Sequence, residues 1–370
     1  MKKVLFLIPN LAHGGAEKVL VNLVNNLDKT KYQVFVQTLF DTGVNKQYLN
    51  SEVKYIPGYK KTVRGNSHIM KLFSPKKLYS HFIKEDYDII VSYLEGPTAR
   101  IVSGCNNPKT KLVSWIHCKM DTPEIGATAF RNFNEAKECY SRFDNTVCVS
   151  KLVMDYFVNT FNFKSPIQVL YNTVETEEII QKSYEIIDDI TFDDDCVNIC
   201  SVGKITPLKG FDRILHIHKK LLNEGIKNKV YLFGIGEEED NLRKTAQNLG
   251  VDQTFQLMGY RTNPYKYVKK CDLYVCSSHS EGFSTSVTES LIVGTPIVTT
   301  LCSGMTELLG ENNEYGIVTE NNENSLYEGI KKMITTPGML GEYSVKAKER
   351  GKAFSTQKTV KAVEEMLCNL

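Results

Sequence analysis

The chain has ten cysteines in 370 residues but no Cys-x-x-Cys pair. No Cys/His set has metal-ligand spacing, which argues against structural zinc. Cys148, Cys200 and Cys276 fall inside apolar runs, where cysteine packs as a small hydrophobe. The scatter is that of free thiols in a reducing compartment. No apolar stretch approaches the roughly 18 residues of a membrane-spanning helix. The first eight residues are basic and then apolar, but Pro9 and Asn10 cut the run short and no small-residue cleavage site follows. A soluble or peripheral protein, cytoplasmic or at the inner face of a cell membrane, is expected. Low-complexity segments are absent. So is a GxxxxGK[ST] phosphate loop, since Lys209-Gly210 lacks the spacing.

Acid is missing from one long segment. Residues 53–84 hold no Asp or Glu and eight basic residues: Lys54, Lys60, Lys61, Arg64, Lys71, Lys76, Lys77 and Lys84. Apolar and aromatic residues interleave them, among them Tyr55, Tyr59, Ile69, Met70, Leu72, Phe73, Leu78, Tyr79 and Phe82. Basic and apolar residues together suit an anionic bilayer surface, while a basic loop beside a core-facing helix has the same composition. The charge alone would also suit nucleic acid, but no other feature asks for it. The bias extends to the whole chain: residues 1–170 carry 23 Lys and Arg against 14 Asp and Glu, the remainder 22 against 29. A basic half joined to an acidic half points one side at an anionic surface or ligand.

What is present is a repeated alternation. Short continuous apolar runs at residues 4–8, 32–36, 88–92, 111–116 and 145–149 read as strands buried on both faces. Loops and amphipathic helical stretches separate them, beginning with 16–27. Residues 162–196 break the rhythm with Pro166 and an acidic run ending at Asp195, and the linker is placed at 171–175. A second cycle follows, with strands at 197–202, 229–233, 254–257, 273–276 and 296–299 and a helix at 211–222. Ser355 is placed to cap a last helix running to about residue 370. The expected fold is α/β, with two doubly wound, Rossmann-like domains whose strand carboxyl ends face a common cleft.

Chemistry concentrates at those strand ends. Residues 278–289 read Ser-His-Ser-Glu-Gly-Phe-Ser-Thr-Ser-Val-Thr-Glu, between a strand and a helix. Gly282, Phe283, Ser284 and Thr285 fall where free helix N-terminal amides and the dipole favour phosphate. Glu281 precedes that start, where its carboxylate can accept from sugar hydroxyls; Glu289 lies about a turn inside, placed for ribose hydroxyls. Lys204 and Lys209 flank the turn after the 197–202 strand, with Gly203 between strand and turn, and would neutralise a diphosphate. Gly14 and Gly15 follow the first strand, where glycine lets backbone approach a ligand. His117 and Glu95 end strands on the same side. Asp193-x-Asp195 and Asp86-x-Asp88 read as solvated acids.

These stretches together resemble family 4 of the glycosyltransferases, retaining enzymes of the GT-B fold. The family's Glu-x7-Glu signature matches Glu281 and Glu289. Gly294-Thr295-Pro296-Ile297-Val298 is similar to its Gly-x-Pro-Val-Val element, and Val202-Gly203-Lys204-Ile205 with Lys209-Gly210 to its Val-Gly-Arg-Leu and Lys-Gly. His13-Gly14-Gly15-Ala16-Glu17 extends the likeness to the N-terminus. Lys204 stands where the family usually has Arg, a point charge in place of a bidentate fork.

The resemblance implies catalytic roles for Glu281, His117, Lys204 and Lys209. It implies a nucleotide-sugar donor, UDP-linked by expectation, held by Gly14, Gly15, Gly203, residues 282–285 and Glu289, with Gly259 and Tyr260 reading the base through backbone. It implies no essential metal, and domains at 1–172 and 173–354, with the 355–370 helix packing back on the first. The 93–97 and 114–117 segments look like those of capsule or exopolysaccharide transferases, so the expected acceptor is a glycan or polyprenyl-linked glycan. A backbone-read base leaves uridine and guanosine undistinguished.

Two rivals use the same architecture. A dehydrogenase would need GxGxxG after a strand, with an acid about 20 residues on. Neither opening strand supplies it, and Gly234-x-Gly236 runs into Glu237. A non-catalytic sugar- or nucleotide-binding protein would share the fold, and the presence of both Glu281 and Glu289 argues against it.

Overall fold

Unbroken Val, Ile, Leu and Phe runs bury both faces of a strand, and here they form parallel sheets covered by helices on either side. In the computed structural model, which describes residues 1–12, 14–61 and 66–370, two compact units appear. One is Met1–Val174 together with Thr356–Leu370; the other is Glu175–Ser355. His13 and Arg64, singled out above, lie outside the described residues.

The first unit holds seven strands: β1 (Lys2–Ile8), β2 (Tyr32–Thr38), β3 (Lys54–Ile56), β4 (Ile89–Ser92), β5 (Lys111–Ile116), β6 (Asn145–Cys148) and β7 (Ile167–Val169). They lie parallel in the order β3-β2-β1-β4-β5-β6-β7. Val4 stands opposite Val34 on one side and Ile89 on the other. The C-terminal helix, Thr356–Cys368, belongs to this unit. It buries Val360, Val363, Met366 and Leu367, and the Lys2 ammonium donates to the carbonyl of Leu367 at 3.1 Å.

The second unit holds β8 (Val197–Val202), β9 (Asn228–Phe233), β10 (Phe255–Leu257), β11 (Leu273–Cys276), β12 (Ile297–Thr300) and β13 (Ile317–Thr319), in the order β10-β9-β8-β11-β12-β13. The Phe211–Asn223 helix packs Phe211, Ile214, Leu215 and Leu221 into a core shared with Val230 and Leu232.

Several expectations change. Residues 162–196 are not a bare interruption: they contain β7 and a helix, Thr176–Ser183. Strands β3 and β13 likewise form where no strand is expected. In each sheet the strand order reverses direction once, between β1 and β4 and between β8 and β11. Loops that leave neighbouring strands at such a point diverge and open a crevice, which is where ligands bind in sheets of this kind.

Candidate active site

In the second unit, the two loops at the reversal point carry the charged residues. Strand β8 runs through Gly203 into a short 3-10 turn, Pro207–Lys209, and β11 runs into the 277–284 loop. The loops are tied to each other: the His279 amide donates to the carbonyl of Leu208 at 2.8 Å, and the Ser277 hydroxyl to the carbonyl of Lys209 at 2.8 Å. Across the join, the Lys209 ammonium meets Glu281 Oε1 at 2.5 Å, and Ser278 donates to the same oxygen at 2.7 Å. Glu281 Oε2 has no hydrogen-bond partner among the described residues. Burial pulls the Lys209 pKa down, but the Glu281 carboxylate more than reverses this and holds it above the ordinary lysine value. Lys204 is exposed and makes no ion pair among the described residues.

The Thr285–Val293 helix starts where the loop ends. Ser284 Oγ caps it by accepting the Val287 amide, and Ser284 is buried. Phe283 is buried too, its ring packed on Phe354 at 5.9 Å between centroids and against Gly304. What Phe283 and Ser284 can present to a ligand is therefore backbone amide. Glu289 is half-buried one turn on, where Tyr265 donates to Oε1 at 3.3 Å.

Beside these loops three glycines cross the ends of β8, β9 and β10. The Gly203 amide donates to Phe233 O at 3.0 Å and the Gly234 amide to Gly259 O at 2.9 Å. Gly234 has φ +152°, and a Cβ there would overlap Gly203 O. Tyr260, next to Gly259, is 55% exposed.

Sequence reasoning missed the residues that fix the 277–284 loop. Asn321 donates to the carbonyls of His279 (3.0 Å) and Leu301 (3.2 Å), and its Oδ1 accepts from Arg213 at 2.7 Å. Arg213 also meets His279 Nδ1 at 2.9 Å. Asn321 follows the three-residue strand β13, with nothing in its neighbourhood to mark it. Asp193, by contrast, spends its carboxylate on Lys229 (2.8 Å) and on the Asp195 amide (3.1 Å).

In the first unit the reversal point is lined by the loops after β1 and β4. Gly14 is the N-cap of the Gly15–Asn26 helix, and Glu17 folds back so closely that a Cβ on Gly14 would overlap its carboxylate. Burial raises the Glu17 pKa, partly offset by a bond from its own amide. His117 follows β5. Its amide donates to Glu95 Oε2 at 2.8 Å, and its ring lies 4.8 Å from that of Tyr93. Nε2 is buried and has no partner among the described residues. Burial pushes the imidazole pKa down to about 4 against the pull of Glu95, so at neutral pH the ring is uncharged.

Two parallel sheets alternating with helices, with charged loops at a reversal of strand order, define an α/β protein of the GT-B type. The chain matches the family models of "Glycosyltransferase Family 4" over residues 13–178 and "Glycosyl transferases group 1" over 183–354. It belongs to this family and is a glycosyltransferase. A Campylobacter jejuni enzyme is 28% identical over 97% of both chains: the N-acetylgalactosamine-N,N'-diacetylbacillosaminyl-diphospho-undecaprenol 4-alpha-N-acetylgalactosaminyltransferase. The lipopolysaccharide core biosynthesis glycosyltransferase LpsE of Rhizobium meliloti is 25% identical over 79% of this chain and 77% of its own. Among solved structures, Anabaena Alr3699/HepE in complex with UDP and glucose superposes with a TM-score of 0.79 at 18% identity, covering both chains completely. Among the described residues no helix is long and apolar enough to cross a membrane.

Proposed function

We infer that this enzyme is a retaining transferase that moves a sugar from a UDP-linked donor onto a glycan or polyprenyl-linked glycan in cell-surface polysaccharide assembly. The observation that carries this reading is the Lys209–Glu281 pair, set at the strand-order reversal beside a capped helix start. Lys209 stays cationic, as stabilising a departing diphosphate requires, and Lys204 adds a second, exposed cation. The amides at 282–285 and the helix dipole favour the same charge. Glu281 is anchored through Oε1 and offers Oε2 to hydroxyls of the transferred sugar. Glu289 accepts from the ribose. The glycine turns at 203, 234 and 259 let backbone reach the nucleotide, with Tyr260 beside the base. In the first unit, Gly14 and Gly15 present backbone to a ligand, and neutral His117 offers a hydrogen-bonding nitrogen without a charge. In a retaining transfer the donor phosphate itself takes the acceptor proton on the face where the leaving group departs.

The relatives' names support the acceptor class. Two act in glycan assembly on lipid carriers or lipopolysaccharide, and the fold neighbour holds UDP. Ten free cysteines, most of them buried, support the cytosolic side of the membrane.

Thermal unfolding against UDP, GDP and ADP tests the donor. UDP at 100 times its dissociation constant adds about 2.7 kcal/mol, a shift of a few degrees. Stabilisation by GDP or ADP alone would reassign the nucleotide. With the UDP-sugar so found, Glu281→Gln and Lys209→Met are expected to lower kcat by about 10²–10³ while leaving the melting temperature within a few degrees. Near-normal turnover in either would remove that residue from the mechanism. The anomeric configuration of the product, read by NMR, decides retention.

A further inference from the structure

Parts of the basic 53–84 segment serve the fold. Leu78 is buried, and the Tyr55 hydroxyl turns inward to Asp41 at 2.7 Å. One stretch does not. Ile69 is 49% exposed, Leu72 76% and Phe73 46%, where the Asn66–Lys71 helix gives way to the Pro75–Phe82 helix. Single exposed apolar residues are ordinary on any surface. The way the backbone beneath these three is held is not.

Four successive carbonyls are gripped by two arginines. Arg100 donates to Met70 O at 2.8 Å and to Phe73 O at 2.7 Å. Arg131 donates to Lys71 O at 2.7 Å and to Leu72 O at 3.2 Å. Arg100 is 1% exposed and doubly bonded to Glu135, at 3.1 and 2.9 Å; Glu135 also accepts the Arg131 amide at 2.7 Å. Burying such a pair carries a desolvation penalty of several kcal/mol per ion, before the pair's attraction is counted. Met70 and Lys71 end their helix and call for such caps, but the grip runs on through Leu72 and Phe73, so the whole stretch is held without relying on water. Carbonyls satisfied from within are what a backbone needs where water is scarce.

The charge around the stretch points the same way. The Pro75–Phe82 helix is capped by Ser74, which accepts the Lys77 amide at 3.3 Å, and its first turn holds no acid. Lys76 and Lys77 stand there instead, both exposed. The positive end of the dipole disfavours cations in that turn, so these lysines weaken their own helix unless an anion faces them. Of the three exposed apolar side chains only Phe73 has a π face for stacking on a base, while Ile69 and Leu72 are aliphatic, which suits an acyl boundary better than nucleic acid.

We propose that residues 69–77 form a membrane-docking shoulder. Ile69, Leu72 and Phe73 enter the boundary between headgroups and acyl chains of an anionic bilayer, and Lys71, Lys76 and Lys77 meet lipid phosphates. The shoulder acts independently of sugar transfer and holds the enzyme at the surface where a lipid-linked acceptor would lie.

The test is co-sedimentation of the full chain, at low ionic strength, with vesicles of phosphatidylcholine alone or enriched in phosphatidylglycerol. Binding to the anionic vesicles only is expected. Lys76→Gln/Lys77→Gln lowers the partition coefficient about fivefold per lysine removed. Leu72→Ser/Phe73→Ser abolishes sedimentation. Both variants keep the parent's melting temperature and its response to UDP, so docking and donor binding are judged separately. Failure of the parent to bind anionic vesicles overturns the proposal, as does binding that both variants retain. A parent dimer in light scattering that Leu72→Ser/Phe73→Ser converts to monomer also overturns it, making the patch a contact between copies.

Discussion

Two single residues show burial and charge pulling against each other, with opposite winners. At Lys209 desolvation loses to Glu281 and the ammonium stays charged. At His117 desolvation wins over Glu95 and the ring is neutral, its pKa down from 6.5 to about 4. The second case makes stability depend on pH. Between pH 6.5 and 4 the unfolded chain binds a proton at this residue that the folded chain refuses. Stability therefore falls as pH drops through that window, by on the order of 3 kcal/mol in total. His117→Gln removes this contribution and leaves every other titration in place. Urea midpoints at pH 7 and pH 4.5, compared between parent and variant, isolate the term: the parent is expected to lose more stability on acidification. Parallel losses in the two proteins would mean that the folded His117 titrates like a free histidine.

At the level of elements, the glycine crossing at the ends of β8, β9 and β10 is a close backbone-to-backbone approach in the second unit. Gly234→Ala puts a Cβ against Gly203 O and forces a side chain onto φ +152°. A cost of about 2–4 kcal/mol follows from overpacking plus backbone strain. The lowered melting temperature should come with a weakened response to UDP, because the displaced turn belongs to the proposed nucleotide pocket. An unchanged response would place the nucleotide elsewhere. The same elements show what a sequence can and cannot reveal. Central strands such as β1 and β8 are legible because both faces are buried and their side chains read as unbroken apolar runs. Strands β3, β7 and β13 are three residues each and lie at sheet edges, so little of them is buried and no run forms. Strand β10 is as short and also at an edge, but its Phe-Gln-Leu core between Gly250 and Gly259 marks it. In the candidate site, Glu281 and Glu289 are legible because a strand, a loop of small residues and a helix frame them. Asn321 and the Arg100–Glu135–Arg131 clamp are not. Apart from Arg131 and Glu135, four residues apart, their partners lie 20 residues away or more in sequence, and only the fold brings them together.

At the level of the whole molecule, the chain crosses between the units twice, after Val174 and after Ser355. The last helix thus completes the first unit's core rather than extending the second. Leu367 is fully buried there, and the Asp28 amide in the first unit donates to Glu364 Oε1 at 2.7 Å. Because each unit has its own sheet and core, damage to this helix should be felt by the first unit alone, although it adjoins the second in sequence. Leu367→Ala creates a cavity in a packed core and is expected to cost about 2–5 kcal/mol. Proteins built from two cores need not unfold in one step. Calorimetry of the variant should therefore show a transition displaced to lower temperature and another left in place. UDP, bound through the second unit in the proposed reading, should raise only the transition that stayed. If the mutation and UDP instead move a single transition together, the units unfold as one, and the helix supports the nucleotide site as much as the sheet it packs on.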